Sequence, residues 1–438
     1  MKKYIILCLI LLISVTISKG QKLMLLEDAI QIALENNFGI LVAKNDARIS
    51  ENSAHRGAAG LLPTVSGTAG GNYNNNSTQV EFATSQFPPV DASGVVSTSY
   101  NAGVSLNYTV FDGLGNVNRY KVLQRTSDLS NTQTQAVIET TINQVANAYY
   151  AIARQLANYK TLEESIEISQ ARMERAQNQF AFGSSNKLAI LNAQVDFNTD
   201  SANLALAYYN LENAKRSLNA LIGQDITTNF SIKEEVSFRT MNLQELMNMA
   251  ENNNSQLRIA AYNQHISELN VKIAKASYAP VVGVSAGYNF LRSDNGVGNI
   301  LKSQQNLGLA VGASLNIPIY SGNTRKVNVQ NSEISVLNSQ HRYDETKLNL
   351  ERDISNSYYT YQGVLTQLKL EQTSLESAQE NFARTQDAFK LGQASNVQFR
   401  DAQLNLLRVK NRINDLRFTA KLNELELMRL SGQLSGNE

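Results

Sequence analysis

Cysteine is almost missing from this chain: Cys8 is the only one in 438 residues. It falls inside an apolar run, "YIILCLILLISV" (Tyr4 to Val15), with Lys2 and Lys3 before it and Ser18-Lys19-Gly20 after it. A basic start, a short apolar middle and a small-residue end make a secretory leader, too short and wrongly flanked for a permanent span. Residues 1–20 are therefore expected to be a signal peptide cleaved after Gly20. Cys8 sits too early to serve as a lipidation cysteine, so no acyl anchor is expected. Without its leader the chain holds no thiol, which excludes disulfides and thiolate metal sites. Histidine is scarce too. His55, His265 and His341 occupy unrelated positions, none beside a paired carboxylate at ligand spacing, and all three read as solvated helix residues. The sequence has no phosphate-binding glycine loop, nucleophile elbow or metal motif. Neither a catalytic residue nor a cofactor is predicted, and the chain is not expected to be an enzyme.

Tryptophan is absent and proline occurs only at Pro63, Pro88, Pro89, Pro280 and Pro318. The long stretches between these prolines contain nothing that breaks a helix in this way. Past the leader no apolar run approaches the roughly 20 residues of a transmembrane helix. The formal charge is +1, and leaving out Lys2, Lys3 and Lys19 brings it to about −2. That balance carries no basic signature for nucleic acid.

What is present is a duplication. Pairing Pro63 with Pro280 sets an offset of 217, at which Leu26, Ala33, Ile40 and Ala43 meet Leu243, Ala250, Leu257 and Ala260. Beyond a variable loop the offset becomes 209. There Phe111 and Gly113 meet Tyr320 and Gly322, and Tyr149-Tyr150 meets Tyr358-Tyr359. Phe180, Gly183 and Ala193-Gln194 meet Phe389, Gly392 and Ala402-Gln403. Repeats of this kind precede any other reading of a fold. They divide the chain into a first structural repeat over 21–240 and a second over 241–438. Each repeat reads as helix, strand, loop, strand, very long helix, turn, helix.

The first helices cover roughly Leu26 to Gly60 and Leu243 to Ser277. The long helices run near Gly115–Phe182 and Asn323–Leu391, each roughly 100 Å at about 1.5 Å per residue. Ile138, Ile142, Val145, Tyr149, Ile152, Leu156 and Tyr159 alternate steps of four and three, and so do Ile354, Tyr358, Tyr361, Leu365 and Leu368. Such spacing keeps one seam against a partner helix. This segment alone suits a soluble coiled-coil rod equally well.

Four strands are predicted near 64–73, 98–111, 281–290 and 307–319. Each sets an apolar face against a small, uncharged polar face over about the 9–11 residues that a tilted strand needs to cross a bilayer. An antiparallel sheet packed on a core alternates identically. Tyr73, Tyr100, Tyr108, Tyr288 and Phe290 are candidates for an interfacial aromatic girdle. The segments Asn74–Ser97 and Arg292–Gln304 read as polar loops facing outside the cell. Four strands leave two open edges that lipid does not tolerate, so closure requires several protomers. Two would make a filled eight-stranded barrel, and three a twelve-stranded one with a passage.

In sum the chain resembles the outer-membrane efflux proteins of the TolC type, over nearly all its length past the leader. The resemblance rests on "LEDAIQIALENN", "GLLP", "LNIPIYSGNTR", Tyr149-Tyr150, the paired turns and the duplication itself. It implies a mixed α and β fold: long antiparallel helices forming a periplasmic α-barrel, and four strands per subunit in a trimeric 12-stranded transmembrane β-barrel. It implies a homotrimer in the outer membrane of a Gram-negative bacterium, with most of its mass in the periplasm. Such a duct is passive, contacts outer-membrane lipid, and docks a periplasmic adaptor (membrane fusion) protein and an inner-membrane RND or ABC transporter. It would serve a tripartite efflux pump or a type I secretion system. A secreted coiled-coil adaptor or scaffold without a channel is the alternative that the residues themselves leave open.

The resemblance maps the docking tip onto Phe180, Gly183, Ser184, Leu188, Ala193 and Gln194, and in the second repeat onto Phe389, Gly392, Ser395, Val397, Ala402 and Gln403. Gly183 and Gly392 suit the left-handed end of a helix. Ser184, Ser185 or Asn186, and Ser395 or Asn396, suit the cap of the next. The family's closed entrance often carries two acidic residues on the last tip helix. Here the second is Asp401, the candidate periplasmic gate, while the first position is Gln398. Where some members carry a basic residue two positions after the glycine, this chain has Ala394. Arg400 is a candidate partner for Asp401.

Overall fold

The computed structural model describes residues 22–84, 86, 88–296 and 301–434. The predicted signal peptide lies outside them. In chain order the elements are β1 (Lys22–Met24), α1 (Leu26–Asn36), α2 (Phe38–Ser53), β2 (Thr64–Val80), β3 (Val90–Phe111), α3 (Gly115–Ala181) and α4 (Lys187–Leu221). Then come β4 (Phe230–Ile232), α5 (Leu243–Asn253), α6 (Ser255–Ala276), β5 (Val281–Asp294), β6 (Ser303–Asn316), α7 (Thr324–Lys390) and α8 (Asn396–Leu430). The two long helices are each 67 residues and the two tip helices each 35, so the duplication holds to the residue. Among the described residues no helix is long and apolar enough to cross a membrane.

The chain forms two compact units. One, mostly helical, takes the described residues of 22–45, 132–258 and 345–434. Its core gathers Ala29, Ala33, Val145, Tyr149, Tyr150, Ile152, Leu211, Leu218, Phe230, Phe418 and Leu425. Buried apolar area of this kind is what stabilises helices whose own composition is polar. The α3 seam is buried at Ile142, Val145, Tyr149 and Ile152, and the α7 seam at Ile354, Tyr361 and Leu368. The repeated tyrosine pairs differ, because Tyr149 and Tyr150 are in the core while Tyr359 is exposed. A short parallel pair, β1 with β4, was not foreseen in the sequence.

Each first helix is in fact two. Asn37 (φ −65°, ψ 123°) and Asn254 (φ −63°, ψ 122°) take extended backbone between helices. Their side chains explain the break. Asn37 Oδ1 accepts from the Ile40 amide at 3.1 Å, while its Nδ2 donates to the Leu221 carbonyl at 2.8 Å. Asn254 repeats both bonds, with Leu257 at 3.0 Å and Leu430 at 2.9 Å. Each asparagine caps one helix and holds the end of another, the competition with helix that short polar side chains win. In the first repeat α2 stops at Ser53, so His55 lies in a turn rather than a helix.

The other unit takes residues 46–131 and 259–344. It carries one antiparallel sheet in the order β2-β3-β5-β6, with β2 and β6 as free edges. Neither face of this sheet is covered: Val65, Val104, Tyr288, Leu309 and Val311 are all more than half exposed, and every position of β6 is exposed. A core-packed sheet is thereby excluded. Pairing register sorts the faces cleanly. Val65–Leu106–Ala286–Val311, Gly67–Val104–Tyr288–Leu309 and Ala69–Ala102–Phe290–Leu307 form apolar rungs. Ser66–Ser105–Gly287–Ala310 and Thr68–Gly103–Asn289–Gly308 form rungs on the opposite face. Apolar rungs run from Phe111 to Ala102 along β3. That is about 30 Å of strand, or about 21 Å of height at a tilt of roughly 45°, close to the apolar band of a membrane barrel.

Strand ends differ from the sequence reading. Ladder bonds continue through Asn74–Val80 and Val90–Ser97, and through Arg292–Asp294 and Ser303–Gln304, where loops were expected. Polar side chains do not end a hairpin whose backbone is already paired. At the other end β6 stops at Asn316 instead of 319, since Pro318 has no N–H to donate. The aromatic girdle is also redistributed: Tyr288 and Phe290 stand inside the apolar band, Tyr108 and Tyr100 toward its opposite ends. Strand turns into helix through two successive left-handed residues, Gly113-Leu114 (φ 71° and 68°) and Gly322-Asn323 (φ 61° and 66°).

Candidate docking tip and gate

α3 ends in a left-handed glycine. Gly183 (φ 71°) donates to the Phe180 carbonyl at 2.9 Å and Ser184 to Gln179 at 2.8 Å. Gly392 (φ 76°) donates to Phe389 at 3.2 Å and Gln393 to Ala388 at 2.8 Å. These paired bonds satisfy the last carbonyls of each long helix. The next helix is capped by Asn186, which accepts from the Ala189 amide at 3.1 Å. Its counterpart is Ser395, in a reciprocal box with Gln398. Gln398, at the first of the expected acidic positions, thus serves the cap.

Phe180, Gly183, Ser184, Leu188 and Gln194 lie exposed in the first repeat, as do Gly392, Ser395 and Val397 in the second. Phe389 is half-buried. Ala193, Ala402 and Gln403 are buried, so these three shape the hairpins from within rather than present a surface. Asp401 is exposed on α8 and lines a groove of about 830 Å³ with Ala394, Gln398, Arg384 and Arg408. Among the described residues no hydrogen bond or ion pair reaches Asp401. Arg400 does not pair with it; its guanidinium is taken up by Asp200 and Gln403.

Arg400 belongs to a polar cluster that the sequence reading missed. Its terminal nitrogens donate to both oxygens of Asp200, at 2.7 and 2.8 Å, and to Gln403 Oε1 at 3.1 Å. The Ser169 hydroxyl also donates to Asp200, and Arg172, almost fully buried, pairs with Asp196. Gln403 donates to the Ser165 carbonyl at 3.0 Å. Hydrogen bonding to Asp200 outweighs desolvation and raises Arg400 above the ordinary guanidinium value. This cluster ties α8 to α3 and α4. One signal was available: Asp196 and Asp200 sit four apart on one helix, where the second repeat has Asn405 and Val409.

A second missed residue is Arg175. It donates to the carbonyls of Phe389 (3.3 Å) and Lys390 (2.6 Å), at the end of α7, and lies 5.2 Å from the Phe389 ring centre. A cation at a helix C-terminus over an aromatic face gains from both. Phe389 stacks on Phe399, with centres 4.8 Å apart. Beside them opens a cavity of about 430 Å³ lined by Arg172, Arg175, Phe182, Ser184, Phe389 and Phe399. Phe182, one of its walls, is 86 % exposed.

Known proteins share this architecture. The family described as "Outer membrane efflux protein" matches residues 29–224 and again 246–433, one match per repeat. Outer membrane protein TolC of Vibrio cholerae is 21% identical, over 92% of this chain and 89% of that protein. The cation efflux system protein CusC of Escherichia coli O157:H7 is 21% identical over 91% of this chain and 84% of its own. Among solved structures, the VceC outer membrane protein of Vibrio cholerae superposes with a TM-score of 0.75 at 17% identity, covering 93% of this chain and 96% of that one. The CmeC outer membrane channel of Campylobacter jejuni gives 0.79 at 15% identity, covering 93% and 85%. The chain belongs to the outer membrane efflux protein family.

Proposed function

We propose that this protein is the passive outer-membrane exit duct of an efflux or secretion machine, assembled from three copies. One observation carries the reading: a four-stranded sheet bare on both faces, apolar on one, small and polar on the other, with two unpaired edges. In water such a sheet exposes apolar rungs, and in lipid its edges leave backbone groups unsatisfied. Identical copies joined edge to edge remove both defects. Twelve strands are wide enough for a passage lined by Gly, Ser, Asn and Thr.

No energy source is needed in the duct itself. A periplasmic adaptor docks at the turns around Gly183 and Gly392, and an inner-membrane transporter drives the cargo. The cavity beside Phe182 and Phe389 supports this assignment, since it joins exposed aromatic surface to Arg175 at the hairpin ends. Asp401, one per subunit and unpaired among the described residues, forms a ring of carboxylates at the entrance that attracts cations.

Membrane fractionation tests the proposal. The protein is expected to stay with outer membranes after high-salt washing and to run as a detergent-stable trimer. A soluble monomer, as a scaffold without a channel would be, overturns it.

A further inference from the structure

The apolar face of the sheet contains a groove of about 510 Å³. Its floor is Gly67, Ala69 and Ala102, and its walls are Tyr288, Phe290 and Leu307. A Cβ placed on Gly67 meets nothing within 4 Å, so the floor is open space rather than packed chain. The next rung on the same face, farther from the helix junctions at Thr64 and Phe111, is Gly71–Tyr100–Arg292–Gln305. The Tyr100 ring lies over Gly71, 3.3 Å from where its Cβ would stand. Arg292 Nε donates to Asp294 at 3.2 Å, one rung farther out. Asp294 orients the guanidinium, and among the described residues no partner is recorded for its two terminal nitrogens. An apolar trough therefore ends, about 7 Å up the strand, beneath a guanidinium, a phenol and a carboxamide, all hydrogen-bond donors.

We propose that this face holds a phosphate-bearing lipid, its acyl chain in the Gly67–Ala102 groove and its phosphate on Arg292, Tyr100 and Gln305. The proposal rests on the sheet lying in the outer membrane. Edge-to-edge closure uses the edges of β2 and β6 and leaves this face turned to hydrocarbon, so an acyl chain is what fills a trough there. The donors stand at the strand ends away from the helices, and hence at the outer leaflet. Arginine suits the head because its terminal nitrogens grip a phosphate bidentately. The chain supplies most of the affinity and the head the selectivity.

The test uses the delipidated trimer in detergent and native mass spectrometry with three probes: dioleoyl phosphatidic acid, dioleoylglycerol and inorganic phosphate. Phosphatidic acid is expected to stay bound about tenfold more tightly than dioleoylglycerol, and inorganic phosphate not to bind. Arg292→Gln should abolish that tenfold preference, a loss of the size expected for a charge-assisted contact. Gly67→Phe, which fills the groove, should weaken both lipids. Both positions are exposed, and trimer yield in the outer membrane reports whether either variant fails to assemble. Equal retention of the two lipids, an unchanged preference in Arg292→Gln, tight binding of phosphate alone, or indifference to Gly67→Phe each overturns the site. A wild-type trimer in the outer membrane that ignores all three probes refutes only the lipid site. A wild-type protein found soluble refutes the exit duct and the lipid site together.

Discussion

The turn at Gly183 and the turn at Gly392 share a backbone and differ in what stands behind it. Both glycines are left-handed, both close the same pair of hydrogen bonds, and Asn186 and Ser395 cap at equivalent positions. Behind the first turn lie Ser169, Arg172, Asp196 and Asp200; their equivalents are Ala378, Asn381, Asn405 and Val409. Farther along the tip helices the contrast becomes a reversal. Glu212 with Lys215 in α4 corresponds to Lys421 with Glu424 in α8. Duplication kept the residues that a backbone angle or a cap requires. It let interior side chains diverge, because α4 and α8 pack against different neighbours.

The largest expected effect comes from the cluster. Asp200→Ala takes from Arg400 its two shortest bonds and leaves it a longer contact of 3.7 Å with Asp196, and should cost roughly 3 kcal/mol of stability, the low end of the scale for breaking a buried pair. Val409→Ala, the equivalent change, should cost only about 1 kcal/mol. Denaturant unfolding of the detergent-solubilised protein measures both, and equal losses would erase the asymmetry. Replacing Arg400 by Met and Asp200 by Leu together should recover much of the loss, since it leaves no charge unpaired.

Next are the glycines. A Cβ on Gly223 would meet the Asn36 carbonyl oxygen at 2.5 Å, and one on Gly432 would meet Asn253 Cβ at 2.7 Å. At Gly183 and Gly392 it would meet nothing within 4 Å. Alanine at the tips should therefore cost about 1 kcal/mol from the left-handed backbone alone, and at Gly223 or Gly432 at least about twice that. Equal shifts in Tm at all four positions would show that the chain at Asn36 and Asn253 yields. A valine at Gly183 or Gly392 should impair export while trimers survive.

A smaller difference separates Tyr361 from Ile152, which hold equivalent, fully buried seam positions. Burial pushes Tyr361 up to about 12, and Glu424 adds to the shift; burial likewise pushes Tyr150 up to about 12. The unfolded chain ionises these phenols first, near pH 10, so their neutral forms favour the fold. Stability should be full below about pH 10 and fall as pH rises through 12. Tyr361→Phe should weaken that decline but also lose the bond to the Arg239 carbonyl. Helical circular dichroism against pH reads both effects. The smallest change is at Asp401, whose first-repeat equivalent is Asn192. Asp401→Asn should reduce cation block of single-channel current a few-fold at unchanged stability. Unchanged block would place Asp401 outside the lumen.

Patterns that repeat along the chain were readable from residues alone. Alternation at Leu307, Leu309 and Val311 specified a strand with one apolar face. Steps of four and three from Ile142 to Leu156 specified a long packed helix, and the glycines at 183 and 392 marked its ends. These follow from local sterics and periodicity, which one segment carries by itself. Leu114 shows the limit: nothing in a leucine announces a left-handed residue, whereas its equivalent Asn323 tolerates one readily.

Sequence alone carried the duplication, the four long strands and the long helices, because hydrophobic spacing and backbone angles are properties of neighbours in the chain. Only the tertiary structure decided that Arg400 answers to Asp200 and not to Asp401, that Arg175 closes over Phe389, and that Asn37 and Asn254 hold the ends of helices more than 170 residues away. Charged and amide side chains have many possible partners at any sequence distance. Which one is met depends on how packed helices turn their faces.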